Sequence, residues 1–420
     1  MHILALAFKS ILNRKFTIAL TVFSIALSIM LLLGVERLRS DAQSSFANTI
    51  SGTDLIVGAR SGPVQLVLYS VFRIGNPTNN ISWQSYEDIK NHRLVKWTVP
   101  LSLGDSHRGF RVLGTNLDYF KYYRYAKDHS LTFASGAPFS GVYDAVIGAD
   151  VAKELNYQLD QEIILAHGTG DVSFVEHKDK PFRIVGILEK TGTPVDRTVH
   201  VSLRGIEAIH IGWQDGAPPA FGGRFSPKVT RSTNLQPESI TATMVGLKSR
   251  IAAFRVQRFI NEYPEEPLLA ALPGAALQEL WDTMAIAQKV LFAISILVVL
   301  VGITGMATAI LTSLNERRRE MAVLRSVGAQ PAHIFALFVG ESTAVMTISA
   351  LLGTAALYVV QFAAQPIIQA EFGLYLPISP PSTHELTLLG AAIAAGVFAG
   401  LLPAYRAYRH SLADGMTIRL

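Results

Sequence analysis

The sequence has no cysteine in its 420 residues, and only 16% of its residues are charged. The missing cysteine excludes disulfide bonds, thiolate metal ligands and a cysteine nucleophile. The apolar share of 50% and the mean hydropathy of +0.31 are too high for a soluble protein and too low for a wholly embedded one. These values predict a membrane anchor joined to a domain in water.

Several catalytic motifs are also missing. The Walker A pattern GxxxxGK[ST] does not occur, so we expect no P-loop ATP site in this chain. There is no GxSxG elbow, and His384-Glu385 begins like a zincin motif but has leucine at position 388. We therefore expect neither a catalytic residue nor a cofactor in this chain.

Seven of the eleven histidines fall in the long middle region of the chain, and none forms a tight ligand pair such as H-x₃-H. This spacing favours ordinary surface or hydrogen-bonded histidines over a metal site, and we expect no metal. The seven are His92, His107, His129, His167, His177, His200 and His210.

Four uncharged apolar runs are long enough to cross a membrane, since roughly 20 helical residues span a ~30 Å hydrocarbon core. They are residues 16–35, 290–314, 342–360 and 386–405. A cleaved signal peptide is the alternative for the first run. Its apolar stretch is longer than the usual ~7–15 residues and no clear A-x-A site follows, so an uncleaved span is favoured.

Positive charge around these runs predicts the orientation. Lysines and arginines precede the first run, lie between the second and third, and follow the fourth, whereas the connection 361–385 has none. By the positive-inside rule both termini are cytoplasmic and the middle region lies outside. Residues 36–282 hold 26 basic and 26 acidic side chains, and this balance argues against a nucleic-acid partner.

The expected fold is therefore four transmembrane α-helices, one before and three after a large α+β extracytoplasmic domain, which we expect to have two lobes. Residues 216–237 are expected to form an exposed loop, and the apolar stretch 54–69 to form packed core or, second, an apolar ligand surface. The predicted segments are a cytoplasmic interfacial helix (1–15), the first span (16–35), the outer domain with stalk helices at both ends (36–285), the second span (286–314), a cytoplasmic coupling helix (315–330), the third span (335–360), an outer loop (361–385), the fourth span (386–405) and a cytoplasmic tail (406–420).

The end of the outer domain carries apolar side chains at helical spacing. Leu277, Leu280, Trp281 and Met284 run directly into the second span, which predicts one helix from about 275 to 319. It is either an ordinary helix end or a rigid stalk that joins cytoplasmic events to the outer domain. Glu341, near the start of the third span, is either a functional intramembrane acid or a side chain that reaches water or an arginine.

The cytoplasmic segment 315–330 reads NERRREMAVLRSVGAQ. Met321, Leu324 and Val327 make an apolar stripe, Gly328 suits the residue that ends a helix, and Pro331 suits the first turn of the next. The pattern predicts a short amphipathic docking helix. Arginines lying on anionic lipid are the alternative, but that alone needs no glutamates and no defined stop.

This segment resembles the coupling segment of MacB/FtsX-type ABC transporter permeases, with its E-R-x-x-E run closed by Gly-Ala. Leu402-Pro403-Ala404 and the outer-domain stretches 144–155 and 185–194 resemble other parts of that family. The resemblance implies a location in a bacterial inner membrane, a separate cytoplasmic ABC ATPase carrying ATP and Mg²⁺, and a second permease copy. It also implies that the ATPase-facing residues are Glu316, Arg317, Arg318, Glu320, Arg325, Gly328 and Ala329.

Two functions remain open on this resemblance. One is a permease that exports or extracts a hydrophobic molecule, peptide or lipoprotein outside the membrane. The other is a transmitter that switches an extracytoplasmic partner such as a cell-wall enzyme. Metal-linked transport is a weaker third. An outer substrate-binding or effector protein and membrane lipids are further expected partners.

Overall fold

A computed structural model describes residues 15–126, 128–168, 175–211, 235–326, 328–372 and 378–410. The chain divides into two compact units. The membrane unit comprises residues 1–42, 284–367 and 376–420, and the outer unit comprises residues 43–283 and 368–375. The predicted interfacial helix at 1–15 and most of the predicted loop at 216–237 lie outside the described residues.

Ten α-helices and sixteen strands are formed by the described residues. The helices are α1 (Lys15–Thr49), α2 (Pro63–Ser70), α3 (Trp83–Lys90), α4 (Asp118–Tyr122), α5 (Ala149–Glu154), α6 (Leu203–His210), α7 (Ala253–Asn261), α8 (Pro273–Ser326), α9 (Pro331–Phe372) and α10 (Thr383–His410). The strands are β1 (Leu55–Ala59), β2 (Ile81–Ser82), β3 (Val95–His107), β4 (Phe110–Thr115), β5 (Arg124–Tyr125), β6 (His129–Ser130), β7 (Phe133–Gly136), β8 (Asp144–Ile147), β9 (Glu162–Ile163), β10 (Ala166–His167), β11 (Val175–Glu176), β12 (Phe182–Leu188), β13 (Thr198–Ser202), β14 (Ser239–Ile240), β15 (Ala242–Leu247) and β16 (Leu268–Ala271).

Four of these helices, α1, α8, α9 and α10, are long and apolar enough to cross a membrane. One precedes the outer domain and three follow it, which confirms the expected fold class. Each helix continues past its apolar run. The polar residues beyond the run lie outside the hydrocarbon and still form the backbone hydrogen bonds of the helix. The predicted outer loop at 361–385 is therefore shorter, since α9 runs to Phe372 and α10 begins at Thr383.

The membrane unit packs around side chains from all four long helices. Ile25, Met306, Phe338 and Met346 are among its buried residues. Glycine allows close approach: a Cβ on Gly353 of α9 would lie 2.6 Å from the carbonyl oxygen of Ala26 in α1. Small residues at such crossings are typical of membrane proteins, because helices in lipid associate through close van der Waals packing and not through the hydrophobic effect.

The outer unit is built on one mixed sheet of twelve described strands. Its path runs β16-β1-β15-β3-β4-β13-β8-β12-β7, and β9, β10 and β11 pair beside this path. Strand β13 runs parallel to β4, and β12 runs parallel to β8, while the other pairs are antiparallel. The two expected lobes thus share one sheet, because the long strand β3 pairs with β15 on one side and β4 on the other.

The apolar stretch at 54–69 forms packed core, which confirms the first of the two interpretations. Strand β1 is buried along its whole length between β15 and β16. Helix α2 begins with Pro63 at its first turn and buries Leu66, Val67 and Tyr69. The unusual apolarity therefore reflects a central strand and the helix that packs near it.

Candidate functional site

The coupling segment lies on the last turns of helix α8. Glu316, Arg317, Arg318, Glu320 and Arg325 are all on this helix, and their side chains lie outside what the structure describes. Met321 is buried in the core of the membrane unit. The segment is therefore not the separate short helix that was predicted. No glycine or proline interrupts the chain between residues 306 and 327, so the helix of the span continues to Ser326.

Gly328 ends this helix as its position suggested. Its φ is +97°, in the left-handed region that favours glycine, and a Cβ there would meet nothing within 4 Å. The next turn is held by two reciprocal bonds: the Gln330 amide donates to His333 Nδ1 at 3.0 Å, and the His333 amide donates to the Gln330 carbonyl at 2.9 Å. Ala329, between Gly328 and Gln330, is half-buried, and α9 begins at Pro331. The turn is thus fixed in backbone conformation.

Glu341 lies on α9 and is only 5% exposed. It lines a cavity of about 1050 Å³ within the membrane unit, together with Lys15 and Thr21 of α1 and Thr304 and Thr308 of α8. The hydroxyls of the two α8 threonines donate to backbone carbonyls one turn earlier in the same helix. The carboxylate is therefore inside the helix packing of this unit and is not a surface residue.

An ion pair that the sequence did not predict joins three of the long helices. Arg37 of α1 and Glu385 of α10 are both buried, and Arg37 Nε donates to Glu385 Oε1 at 2.9 Å while Nη2 donates to Oε2 at 3.2 Å. The guanidinium also donates to the side chains of Gln361 and Tyr358 of α9 and to the Ser379 carbonyl. This bidentate, fully bonded geometry is the arrangement in which a buried charge pair is tolerated.

Glu385 also caps the N-terminus of α10. The Ser382 amide donates to Glu385 Oε2 at 2.7 Å, and the Glu385 amide donates to Ser382 Oγ at 3.1 Å. This is a capping box, whose S-x-x-E pattern was visible in the sequence. The His384-Glu385 pair, considered as a broken zincin motif, therefore belongs to a helix start.

The predicted stalk residues contact the outer unit's core in part. Leu277 is buried there, and Leu280 and Trp281 pack against it, whereas Met284 is 47% exposed. Trp281 meets Phe46 of α1 edge to face at 5.6 Å, and Phe46 contacts Phe72 at 4.4 Å between ring centroids. Aromatic packing thus anchors the outer ends of both α1 and α8 in the outer unit.

Three of the seven histidines come together with one aspartate, contrary to the expectation of scattered histidines. Asp105, His167, His177 and His210 each offer one ligand atom, and these atoms all lie within 4.8 Å of one another. His167 Nδ1 is 3.0 Å from Asp105 Oδ1, and His210 Nε2 is 2.9 Å from His167 Nε2 and 3.8 Å from Asp105 Oδ1. We call these four residues the His/Asp cluster.

The other described histidines of the outer unit do behave as ordinary ones. His107 bonds to Tyr157 and to the Ile164 carbonyl. His200 is fully buried, which lowers its pKa to about 3, and its Nδ1 lies 3.3 Å from the Val146 carbonyl oxygen. The His92 ring contacts the Phe259 ring at a tilt, with centroids 4.7 Å apart, and His129 is exposed. The predicted interpretation holds for these four residues.

Two family models match the chain over adjoining segments. The MacB-like periplasmic core domain matches residues 18–257, and the FtsX-like permease C-terminal domain matches residues 292–412. Four apolar helices and a periplasmic-type domain are the features of an inner-membrane protein.

Curated relatives are similar at low identity. A macrolide export ATP-binding/permease protein MacB of Nitrobacter winogradskyi is 23% identical over 96% of this chain, and the chain spans 58% of that relative's length. An uncharacterized ABC transporter permease of Methanocaldococcus jannaschii is 22% identical over 81% of this chain and 78% of its own length.

Solved structures include the periplasmic region of MacB from Actinobacillus actinomycetemcomitans. It has 9% identity and a TM-score of 0.34, and covers 55% of this chain and 94% of its own. The extracellular domain of the transporter YknZ from Gram-positive bacteria has 13% identity and a TM-score of 0.30, and covers 52% of this chain and 98% of its own.

Proposed function

The chain belongs to the family of MacB-like, FtsX-like ABC transporter permeases, and on that premise we propose that it converts ATP hydrolysis into movement of its outer domain. A separate cytoplasmic ABC ATPase supplies the ATP, the Mg²⁺ and the hydrolysis. The permease acts as a transmitter: it exports or extracts a hydrophobic, peptide or lipoprotein substrate outside the membrane.

The observation that carries this proposal is the continuity of α8. One helix of 54 residues begins at Pro273, directly after the edge strand β16, and ends at Ser326, beyond the predicted ATPase-facing residues. At 1.5 Å per residue such a helix is roughly 80 Å long. A helix without a break passes a displacement of one end to the other, whereas a flexible linker would absorb it.

The coupling end is where the ATPase binds in this proposal. In this proposal the ATPase contacts Glu316, Arg317, Arg318, Glu320 and Arg325 at the end of α8, and the turn at Gly328 and Ala329 joins this segment to α9. Both chain termini are then cytoplasmic, in line with the positive-inside distribution of basic residues. Two copies of the permease face each other in the working complex, with one ATPase bound to each.

The experiment is reconstitution of the purified full chain with its ATPase. Glu320→Lys and Arg325→Glu are expected to lower co-purification of the ATPase, or its stimulation by the permease, by at least about tenfold. Arg319→Glu changes the charge as Arg325→Glu does but lies at an x position of the E-R-x-x-E run, and it is the matched control. Equal ATPase binding and stimulation in all three variants would refute the docking role.

A second function, switching of an extracytoplasmic partner, is favoured by exposed apolar side chains near α7. Ile251, Phe254 and Phe259, in and just before α7, are 92%, 73% and 39% exposed. Large apolar side chains exposed on a water-facing domain can form a protein contact. Phe254→Asp would lower capture of a protein partner from the native membrane extract if this function holds. It would leave substrate export unchanged if the transport function holds.

A further inference from the structure

The His/Asp cluster has the chemistry of a transition-metal site. Three imidazoles and one carboxylate form an N₃O ligand set, which suits Zn²⁺ among the divalent ions. Tetrahedral zinc with bonds of ~2.0–2.1 Å places neighbouring ligand atoms about 3.4 Å apart. With one ligand atom from each residue, the four atoms lie within 4.8 Å of one another, and His210 Nε2 is 2.9 Å from His167 Nε2 and 3.8 Å from Asp105 Oδ1, on both sides of that value. Small side-chain movements therefore suffice to close the set around an ion.

The backbone brings the four residues together from four separate segments. Asp105 and His167 are directly opposite each other on the antiparallel strands β3 and β10. The β3–β4 register shifts between Leu103 and Ser106, so Asp105 lies in a bulge, a feature that commonly re-aims a side chain. His177 follows β11, which pairs with β10, and its amide donates to the Leu165 carbonyl at 2.9 Å.

The fourth ligand stands at the end of a helix that is held in place. His210 is the last residue of α6, whose start is capped by Ser202. The buried Lys180 ammonium donates to the carbonyls of Ala208 and Ile209 in the last turn of α6, at 2.8 and 3.3 Å. Because the Lys180 amide also donates to the His177 carbonyl, this one residue fixes the positions of His177 and the helix end together.

The electrostatics of the cluster favour an added cation. The Asp105 side chain is only 4% exposed, and the Lys180 ammonium donates to the α6 carbonyls. The His177 side chain is also buried, and its ring centroid lies 5.1 Å from that of His167. Burying a carboxylate is costly without a positive partner, which a bound divalent ion supplies.

We propose that Asp105, His167, His177 and His210 bind one Zn²⁺ ion in the outer domain. Four protein ligands complete a tetrahedral shell, so the site is structural and not hydrolytic. The His167 and His210 side chains are each 27% exposed, which gives the ion a path from solvent to the buried pair. Binding ties β3, β10, the turn after β11 and the end of α6 together.

The test is metal binding by the full chain, purified in detergent with an affinity tag that contains no histidine. After removal of metal by a chelator, we expect about one Zn²⁺ per chain by mass spectrometry of metals and by titration calorimetry with Zn²⁺ alone. Co²⁺ in the same site should give the intense visible absorption of a tetrahedral complex. Failure to bind Zn²⁺ would overturn the proposal whatever the fate of the transport function, since no ATPase is involved.

Variants separate this site from incidental binding by other histidines. His177→Gln and His210→Gln should each weaken Zn²⁺ binding on the order of 100-fold and abolish the Co²⁺ absorption, since loss of an outer-shell partner alone costs about 10–100-fold. The exposed His129→Gln is the matched control and should bind as the parent does. If a ligand variant unfolds, Asp105→Asn, which keeps the side chain's size, replaces it. A loss smaller than about tenfold in the ligand variants would refute the site.

Discussion

The buried pair Arg37–Glu385 gives the sharpest prediction on stability. Glu385→Ala removes both carboxylate contacts, at 2.9 and 3.2 Å, and the capping acceptor for Ser382. The guanidinium keeps Gln361, Tyr358 and the Ser379 carbonyl, but it loses its hydrogen-bonded carboxylate in a site where the side chain is 6% exposed. The perturbation is therefore a broken buried ion pair at the meeting point of α1, α9 and α10.

The magnitude follows from this geometry. Removing one partner of a buried pair costs about 3–5 kcal/mol, whereas replacing both partners by apolar residues is often near neutral. Loss of the Glu385 half of the capping box, with the Ser382 N-cap bond retained, adds up to about 1 kcal/mol to either variant. We therefore expect about 3–6 kcal/mol for Glu385→Ala and up to about 1 kcal/mol for the double variant Arg37→Met/Glu385→Leu.

The assay is thermal unfolding of the purified full chain in detergent, followed by fluorescence-detected size exclusion. At about 2–4 °C per kcal/mol for a unit of 150–250 residues, Glu385→Ala should lower the midpoint by roughly 6–24 °C. Glu87→Ala, which breaks the exposed Glu87–Lys90 pair, is the control and should move it by about 2 °C or less. A small effect of Glu385→Ala, or a double variant as unstable as the single one, would refute the reasoning.

Three further predictions concern packing, the stalk and pH. Gly353→Leu should prevent assembly of the membrane unit, because even a Cβ would lie 2.6 Å from the Ala26 carbonyl oxygen. Gly390 has open space around its Cα, so Gly390→Ala should leave the midpoint unchanged in the same unfolding assay. Trp281→Ala should raise hydrogen exchange around Phe46 and Phe72 by removing the edge-to-face contact at 5.6 Å, and Trp281→Phe should restore much of the protection. Burial and the nearby Glu238 raise the pKa of Glu207 to about 7, above its ordinary value of 4.5. The contribution of this group to the stability of the outer domain should therefore be fully present below about pH 4.5 and be lost as the pH rises through about 7. Glu207→Gln should flatten this part of the pH–stability profile, and an unchanged profile would show that another group is responsible.

Much of the architecture was predictable from local patterns. The four spans follow from uncharged runs, and the order of one span, a domain and three spans follows from their spacing. The turn at Gly328 carried a clear signal of its own. These features depend on residues that are near each other in the sequence, which is why a pattern reveals them.

The remaining features depend on residues far apart in the chain. Strands β10 and β11 have two residues each, too few for any periodicity, yet they position His167 and His177 beside Asp105 and His210. The Arg37–Glu385 pair likewise joins the first and last spans. The capping box at Ser382 was the one local clue to that pair.

The prediction of a separate docking helix was wrong because it placed a helix boundary where no local signal supports one. Gly328 was correctly identified as a stop, but the predicted helix start near residue 315 had no breaker or cap to support it. A charged segment after an apolar run remains helical when nothing ends it. The boundary of a span in the membrane is therefore not the boundary of its helix.

The most direct test of α8 as a transmitter is a distance measurement on the outer domain. Because the chain has no cysteine, Lys153→Cys on the exposed face of α5 gives one spin label per copy. In the reconstituted complex with its ATPase, the label-to-label distance should change between the nucleotide-free and ATP-trapped states. Insertion of Gly-Gly after Thr283 should abolish that change while ATP hydrolysis continues. An unchanged distance in the parent complex during ATP trapping, or a full change in the insertion variant, would contradict the account.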